Sequence, residues 1–583
     1  MAAMHRLFVS VSAMMLAGAA LAQSAISGVI VKLRDAPSHQ RLAEPRQRAL
    51  AEQEQQRWSQ VLEGAGMSGL SGQRAPVLRP VGHDQQWLDF GRRLSGDEAT
   101  RLAERLRRRA DVAWAEPNVR EHRLQVPSDP LYGAQWWLRA ASGSNNNAIA
   151  DRLRGVPGFL RAWQSGLPGS VGAASAVVAV LDSGVTPHPD LVGRLLPGYD
   201  FVSEAVYAND GNGRDADPSD PGDWVSSADL QNAAFTGCAV EDSNWHGTVI
   251  AGLVAAATDN GIGVAGINRV APVLPVRVAG KCGAALSDII DGMRWAAGLP
   301  VVGAPVNPNP VRVVNISFGG SAACGAAYQQ AVDDLRAKGV VVVAAAGNDF
   351  TSATRPASCS GVVGVVALNR DGFKTNYSNF GTLLAATGIA TVGGDDNAGR
   401  WGPLLADSGI TTVWNDGRRE PGQASYAALF GTSFSAPLVS GAIGLMLSVN
   451  PNLSWDQIIT GLRLSARPHV ASPRIAACAE SNPGRCICTT TTCGVGMLDA
   501  EQALRYASAP ASYVPPTRLA EVIDNAEVVQ AAALGQDRST AVVPPVDPPP
   551  TGTGGSGGGA MGPAALLALL GSVLLLARIG RRR

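Results

Sequence analysis

Ala176-Val177-Val178-Ala179-Val180-Leu181-Asp182-Ser183-Gly184 is the stretch on which the fold turns. Its first six residues are apolar without interruption, which suits a strand covered on both faces rather than one with a wet side. Runs of the same kind recur at Val273–Val278, Val311–Ile316, Val340–Ala346 and Val362–Ala367, with helical stretches such as Leu286–Ala297 and Ala326–Lys338 between them. Repeated strand, helix, strand predicts an α/β domain over residues 125–507, a mostly parallel sheet with helices on both sides. Asp182 closes the first run, where an open parallel sheet gathers its active site.

The flanks differ in character. Residues 23–124 are short and arginine-rich, with strand candidates at Val29–Leu33 and Val112–Trp114. Between them Gly96–Arg109 is helical in pattern: Ser95 and Glu98 make a capping box, and Leu102 and Leu106 share a face. This is a small α+β unit. Residues 508–559 read as a linker, Pro- and Gly-rich from 543. Ala560–Ala577 then carries no charge and is just long enough to span a bilayer. Arg578, Arg581, Arg582 and Arg583 favour insertion with the C-terminus inside. At the other end His5 and Arg6 precede the apolar run Leu7–Leu21, and Ala20-Leu21-Ala22 has a small-x-small cleavage pattern, so residues 1–22 read as an export signal.

Composition fits an exported, multi-part protein. A chain of 583 residues exceeds one ordinary domain, and 46% hydrophobic content supports a large core. Forty-eight basic and 48 acidic residues give a net charge of +0, without the basic excess of a nucleic-acid partner. The 67 glycines and 37 prolines are not periodic, which excludes collagen-like repeats. Eight cysteines lie beyond the signal, an even number compatible with disulfides in an exported chain. They allow about 105 pairings, so spacing assigns none. Cys486, Cys488 and Cys493 also resemble a metal cluster, but His469 stands nine residues before Cys478, and no well-spaced histidine completes it.

Amide hydrolysis needs a nucleophile, a proton shuttle and an oxyanion stabiliser. Asp182 at a strand end can hold the tautomer of an imidazole, although Asp before Ser-Gly is also a common turn pattern. Three histidines, His188, His246 and His469, follow residue 124. His188 lies in a turn and His469 in an irregular stretch. His246, in Asn244-Trp245-His246-Gly247-Thr248, opens a helical run and is the candidate base. Ser433 lies in Gly431-Thr432-Ser433-Phe434-Ser435-Ala436-Pro437 before an apolar helix whose first turn would take Pro437. Free N–H groups at that helix start would flank the Ser433 hydroxyl, while Ser435 suits a plain capping role. Asn348, after Val341–Ala346, offers an amide donor beyond a strand end.

Asp182-Ser183-Gly184, His246-Gly247-Thr248, Ala345-Ala346-Gly347-Asn348 and Gly431-Thr432-Ser433-x-x-Ala436-Pro437, in that order, resemble the signatures of subtilisin-like serine proteases. The chain order Asp, His, Ser is also that of subtilisin. The resemblance covers about 125–507. Two positions depart from it: Val249 and Leu438 stand where the family usually has histidine.

The resemblance implies a three-layer subtilisin-like catalytic domain with Asp182, His246 and Ser433 as triad and Asn348 at the oxyanion. It implies that 23–124 are an inhibitory propeptide, with mature protein starting between Arg120 and Asp129. Asn315–Gly320 resembles the edge that pairs with extended substrate, so Ser317, Phe318 and Gly319 would line one wall of the cleft and Ala345 and Gly347 the other. A structural Ca2+ would be held by Asp129, Asp190, Asn260 and the carbonyls of Ile262 and Val264. Asp200, Asp210, Asp215, Asp217, Asp220 and Asp223 form a second acidic group, either another calcium site or a solvated loop. Cys238–Cys282 and Cys324–Cys359 resemble pairings in secreted Gram-negative members. Cys478–Cys486 with Cys488–Cys493 is one of the assignments left open for the rest. The tail resembles a GlyGly-type sorting signal, implying a monomer that is secreted or held at the cell surface. The function implied is a serine endopeptidase made as an autoprocessed zymogen and acting on proteins or peptides. The alternatives are a catalytically inactive adhesion or binding module, and an esterase or peptide ligase using the same triad.

Overall fold

The computed structural model describes residues 26–34, 55–66, 76–81, 84–94, 96–118, 126–143 and 152–537. The expected export signal, Ser95 of the expected capping box, and the expected membrane segment and sorting tail lie outside them. The chain divides after Leu124 into two compact units.

In the first unit, β1 (Ile26–Leu33), β2 (Val77–Val81), β3 (Gln85–Leu94) and β4 (Val112–Pro117) pair antiparallel in the order β2-β3-β1-β4. Val29, Val31 and Leu33 of β1 are buried with Ala99, Leu102, Ala103 and Leu106 of helix α1 (Gly96–Arg107). The strand β2 escapes sequence reading because Pro80 interrupts its pattern. It occupies the sheet edge, where a residue without an N–H is tolerated.

The second unit is built on a seven-stranded sheet: β5 (Val178–Asp182), β6 (Tyr199–Asp200), β7 (Val273–Arg277), β8 (Val313–Ile316), β9 (Val341–Ala345), β10 (Val363–Leu368) and β11 (Ile389–Val392). The order is β11-β10-β9-β8-β5-β7-β6, and every pairing is parallel. Successive residues point to opposite faces. Val178, Val180, Val313 and Val341 pack with helices α2 (His246–Ala255) and α5 (Thr432–Val449). Ala179, Leu181, Val314 and Val342 pack with α3 (Leu286–Ala296) and α4 (Ala326–Ala337). Two cores on two faces make three layers and account for the unbroken apolar runs. The 18-residue helix α5 is long and apolar enough to cross a membrane, yet it is buried as the central helix of one core.

All eight cysteines are paired, Cys238–Cys282, Cys324–Cys359, Cys478–Cys486 and Cys488–Cys493.

The folded body does not stop at 507. Residues 508–537, expected to be linker, form a strap with a helix, α6 (Ala526–Ala533), whose Val528 and Ala531 are buried. The strap ends at Asp537, which is 1% exposed. Asp537 accepts from Arg485 Nη1 at 2.8 Å and from Trp401 N at 3.0 Å. Arg485 also grips Asp395 through Nε at 2.7 Å and Nη2 at 2.9 Å. Burial works against charge on Arg485, but the two carboxylates hold its pKa above the ordinary value. The sequence hides this because a single Asp near a proline-rich stretch carries no periodic signal. Replacing Arg485 by Met leaves two buried carboxylates facing each other. The expected loss is about 3–5 kcal/mol in the unfolding free energy of the mature domain, measured by denaturant titration.

Candidate active site

Asp182 ends β5, and its carboxylate is almost fully buried. Oδ1 accepts the Ser183 N–H at 2.9 Å. His246 Nδ1 lies 2.8 Å from Oδ1 and 3.0 Å from Oδ2. A carboxylate only accepts, so Nδ1 carries the proton and Nε2 is left as the basic nitrogen. The close approach depends on Gly247: a Cβ there would fall 2.1 Å from Gly184 O and 3.1 Å from Asp182 Cβ. It also depends on Trp245, whose φ of +51° turns the chain into α2. A left-handed tryptophan costs free energy and persists only where its surroundings fix it. Those surroundings are the tip of a hairpin, β12 (Ile410–Asn415) and β13 (Ala424–Leu429). Trp245 Nε1 donates to Gly417 O at 2.6 Å, and Ser243 donates from N to Arg418 O and from Oγ to Arg419 O. Asn244 Oδ1 caps the His246 N–H at 3.0 Å.

Burial works against charge on the His246 ring, but the attraction and hydrogen bond of Asp182 and the more distant Asp223 and Asp220 outweigh it, so the ring titrates above its ordinary value. Val249 and Leu438, the two departures from the family pattern, are fully buried core residues.

Ser433 is the second residue of α5, so its N–H has no helical acceptor. The His246 ring lies 6.0 Å, centroid to centroid, from that of the next residue, Phe434. The Ser433 hydroxyl has no hydrogen-bond partner among the described residues. Asn348 follows β9, and its Oδ1 accepts from Thr432 N and Thr432 Oγ1, both at 2.9 Å. That fixes the amide, and Nδ2 lies 3.6 Å from where a Gly431 Cβ would sit, near the turn that bears Ser433. Asp182, His246, Ser433 and Asn348 thus converge at the carboxyl ends of the strands.

Pro437 lies in the second turn of α5 rather than its first. It has no N–H for the Ser433 carbonyl four residues back, and Ser317 Oγ donates to that carbonyl instead, at 2.8 Å. The expected substrate edge is shorter than its sequence suggests. Asn315 and Ile316 belong to the interior strand β8, and only residues 317–320 beyond its end are free of strand pairing. Phe318 is half-buried and Gly319 exposed. Gly347 is half-buried, whereas the Ala345 side chain is buried in the core beneath the cleft.

The expected calcium residues also converge. Asn260 Nδ2 donates to Asp190 Oδ1 at 2.8 Å, and Val264 N to Asp190 Oδ2 at 2.9 Å. Asp129 accepts from Asp259 N at 3.0 Å, and Ile262 N reaches Asn260 Oδ1 at 3.0 Å. Asp129 and Asp190 are 4% and 0% exposed, and neither has a cationic partner among the described residues. A Cβ on Gly263 would fall 2.0 Å from Asp190 Oδ2 and 2.1 Å from the Tyr426 hydroxyl, so only glycine lets the loop and Tyr426 close on that carboxylate. Two buried, cation-free carboxylates with an amide oxygen and carbonyls fit a hard cation. His188 is structural: Nδ1 accepts from Asp190 N and Nε2 meets Ser425 O.

The second acidic group is largely occupied by protein partners. Asp200 and Asp210 pair with Arg277, Asp215 and Asp217 cap nearby N–H groups, Asp220 accepts from Ser183 Oγ, and Asp223 from Asn244 N. Cys478, Cys488 and Cys493 converge, but each is in a disulfide and offers no thiolate to zinc. Sequence reasoning missed Trp245, Asp220 and Thr432. Asn244, two residues before a helix-opening histidine, carried a capping signal that could have been read.

A family model described as "Subtilase family" matches residues 173–494. The chain is 36% identical over 443 residues to "Extracellular protease" of Xanthomonas campestris pv. campestris, covering 75% of this chain and 66% of that one. It is 37% identical over 342 residues to "Extracellular basic protease" of Dichelobacter nodosus, covering 58% and 51%. The aligned part is less than two-thirds of either relative's length. "Subtilisin BL" of Lederbergia lenta is 30% identical over 309 residues, covering 52% of this chain and 87% of that protein. A solved structure of a protease from Pseudoalteromonas arctica matches with 38% identity and a TM-score of 0.54, covering 66% of this chain and 100% of that one.

The raised pKa means the His246 ring keeps its proton to higher pH than an ordinary imidazole. Ring NMR of the intact chain is expected to give a midpoint above 6.5, the usual value. Asp182→Asn is expected to move it down. A midpoint at or below 6.5 in the unmutated chain would contradict this electrostatic picture.

Proposed function

Because this chain belongs to the subtilase family, we propose that it is a secreted serine endopeptidase that cleaves peptide bonds of proteins through an acyl-enzyme. The observation that carries the reading is the fixed tautomer of His246 at Asp182, with Nε2 left basic beside the turn bearing Ser433. Ser433 Oγ attacks the scissile carbonyl and gives its proton to His246 Nε2. Asp182 stabilises the resulting imidazolium through Nδ1–H. The negative charge on the former carbonyl oxygen is met by Asn348 Nδ2 and the Ser433 N–H. His246 then passes its proton to the leaving amine, the acyl bond to Ser433 is hydrolysed by water, and Oγ–H is restored. Residues 317–320 would pair with extended substrate backbone, which favours broad sequence tolerance.

Two relatives are named as extracellular, in keeping with the export signal read at residues 1–22. Residues 23–124 would act as the inhibitory propeptide of an autoprocessed zymogen. The tail at 560–583 would hold the precursor at the membrane until removed, and the mature enzyme would be a monomer. Asp129, Asp190, Asn260 and the carbonyls of Ile262 and Val264 would hold a structural Ca2+, which when bound neutralises the two buried carboxylates.

Ser433→Ala is expected to leave an unprocessed precursor without casein hydrolysis, and a sulfonyl fluoride to label Ser433 in the unmutated mature protein. Processing and activity in Ser433→Ala would refute the reading, and a folded but unlabelled mature protein would favour an inactive binding module. Asn348→Ala is expected to lower kcat by about 100- to 1,000-fold, the range known for such a donor in a subtilisin. A larger yield of acyl transfer than hydrolysis with an added amine would point to a ligase.

Chelation is expected to lower the unfolding temperature, and added Ca2+ to restore it. At 100 times its Kd the ion adds about 2.7 kcal/mol. In Asp190→Ala the unfolding temperature is expected to lose its response to calcium.

A further inference from the structure

Beside the Asp182–His246 contact runs a second link between the same two chain segments. Ser183 Oγ accepts from Gly247 N at 3.1 Å and donates to Asp220 Oδ2 at 2.7 Å. Ser183 follows Asp182 and Gly247 follows His246, so this link is a second rung parallel to the first. The first direction is settled because a backbone N–H only donates; burial and the nearby Asp223 push the Asp220 carboxyl up to about 7, and above that pH it is ionised and accepts from Ser183 Oγ. A serine hydroxyl otherwise rotates freely. Here Asp220 takes its hydrogen and leaves a lone pair facing Gly247.

Asp220 is itself immobilised. It is 3% exposed, its Oδ1 accepts from Gly222 N at 2.8 Å, and its N–H donates to Val185 O at 3.0 Å. A Cβ on Gly184 would meet Pro218 O at 2.6 Å and Asp220 N at 3.1 Å, so the 218–222 loop lies directly on the turn that follows Asp182. Three residues on, Asp223 accepts from Asn244 N at 3.0 Å, and Asn244 caps His246 N. One loop therefore holds both the Asp182 turn and the His246 turn.

We propose that Asp220 is a positioning residue for the triad, orienting the Ser183 hydroxyl so that it fixes the His246–Gly247 backbone in register with Asp182. The inference rests on the endopeptidase reading. Neither Ser183 nor Asp220 touches the reacting atoms. Their effect is geometric, and a misplacement of about 1 Å at a reacting group can cost about 100-fold in rate. Asp220 also contributes charge. The charged groups around this link are Asp182 on β5, Arg277 on β7, Asp220 and Asp223 on the loop, and Glu241 near Asp223.

The test uses the full chain, processed as it is made, with Ser183→Ala, Ser183→Thr, Asp220→Ala and Asp220→Asn. The readouts are kcat and KM for a peptide amide across pH, with thermal unfolding alongside. Ser183→Ala and Asp220→Ala are expected to lose about 10- to 100-fold in kcat at unchanged KM. Ser183→Thr, which keeps a hydroxyl, is expected to restore kcat. In Asp220→Asn the acid limb of kcat/KM is expected to move to lower pH, because one anion that favours the imidazolium is gone. Unchanged kcat in Ser183→Ala, or a loss that tracks unfolding temperature and is not recovered by Ser183→Thr, would overturn the proposal. If Asp220→Ala does not fold, Ser183→Ala decides, since it removes only one hydroxyl. Inactivity of the unmutated enzyme would instead count against the endopeptidase reading.

Discussion

A carboxylate at the end of a buried strand has to be compensated, and in this protein the compensation of Asp182 organises everything near it. At 2% exposure it cannot rely on water. One partner, the Ser183 N–H, is local. The other is an imidazole 64 residues away in sequence. Bringing that ring in requires the first turn of α2 to abut the end of β5, which excludes a side chain at Gly247 and bends Trp245 into a left-handed conformation. Trp245 is tolerated because Gly417 O accepts its indole N–H, which in turn requires the β12–β13 hairpin to reach this far. Strand, helix, hairpin and the 218–223 loop are all fixed by one ion–imidazole contact. The charge that fixes them also raises the proton affinity of the ring.

Elsewhere in the protein, several buried charges are held in pairs. Arg277 faces Asp200, Arg152 faces Asp371, and Arg485 faces Asp395 and Asp537, each with both partners at or below 4% exposure. These pairs fasten distant segments together. Such pairs add little net stability over apolar substitutes, but breaking one is costly, so they act best as registry devices. Asp129 and Asp190, like Asp220, are just as buried yet satisfied only by neutral donors.

The sheet was legible in the sequence because a strand buried on both faces is mostly apolar, and five such runs became five of its seven strands, two of them with one buried polar residue, Arg277 or Asn315. The two-residue strand β6 carries too little pattern to be read, and β11 (Ile389–Val392) is a four-residue run closed by Gly388 and Gly393. Asp182, His246, Ser433 and Asn348 were legible as candidates because amide hydrolysis would call for those residue types at strand and helix ends. The second rung was not, because Ser183 and Asp220 lie 37 residues apart in loops that only the tertiary fold brings together. The strap at 508–537 was missed for a related reason: its anchors are scattered single residues such as Arg518, Ile523 and Asp537, and its helix buries only Val528 and Ala531. Pattern reading finds what repeats, whereas single polar anchors become visible only with their partners.

Pro437 is a case where an apparent sequence signal points to more than a helix boundary. Read as a first-turn proline, it would cost nothing. In the second turn of α5 it removes the donor for the carbonyl of Ser433 itself. A buried carbonyl left without a donor costs free energy, and Ser317 supplies one from beyond β8. Ser317 is in turn held by Asn315 Nδ2 at 2.9 Å, and Asn315 Oδ1 accepts from Ser440 Oγ at 2.8 Å, one turn further along α5. The defect therefore ties the Ser433 backbone to the start of the segment expected to bind substrate. It does so through three side chains that are each 0% exposed. A plain helix would have satisfied the Ser433 carbonyl internally and left Ser433 and residues 317–320 to be placed separately. By breaking one helical hydrogen bond, the sequence makes the position of Ser433 and the position of residues 317–320 a single structural variable.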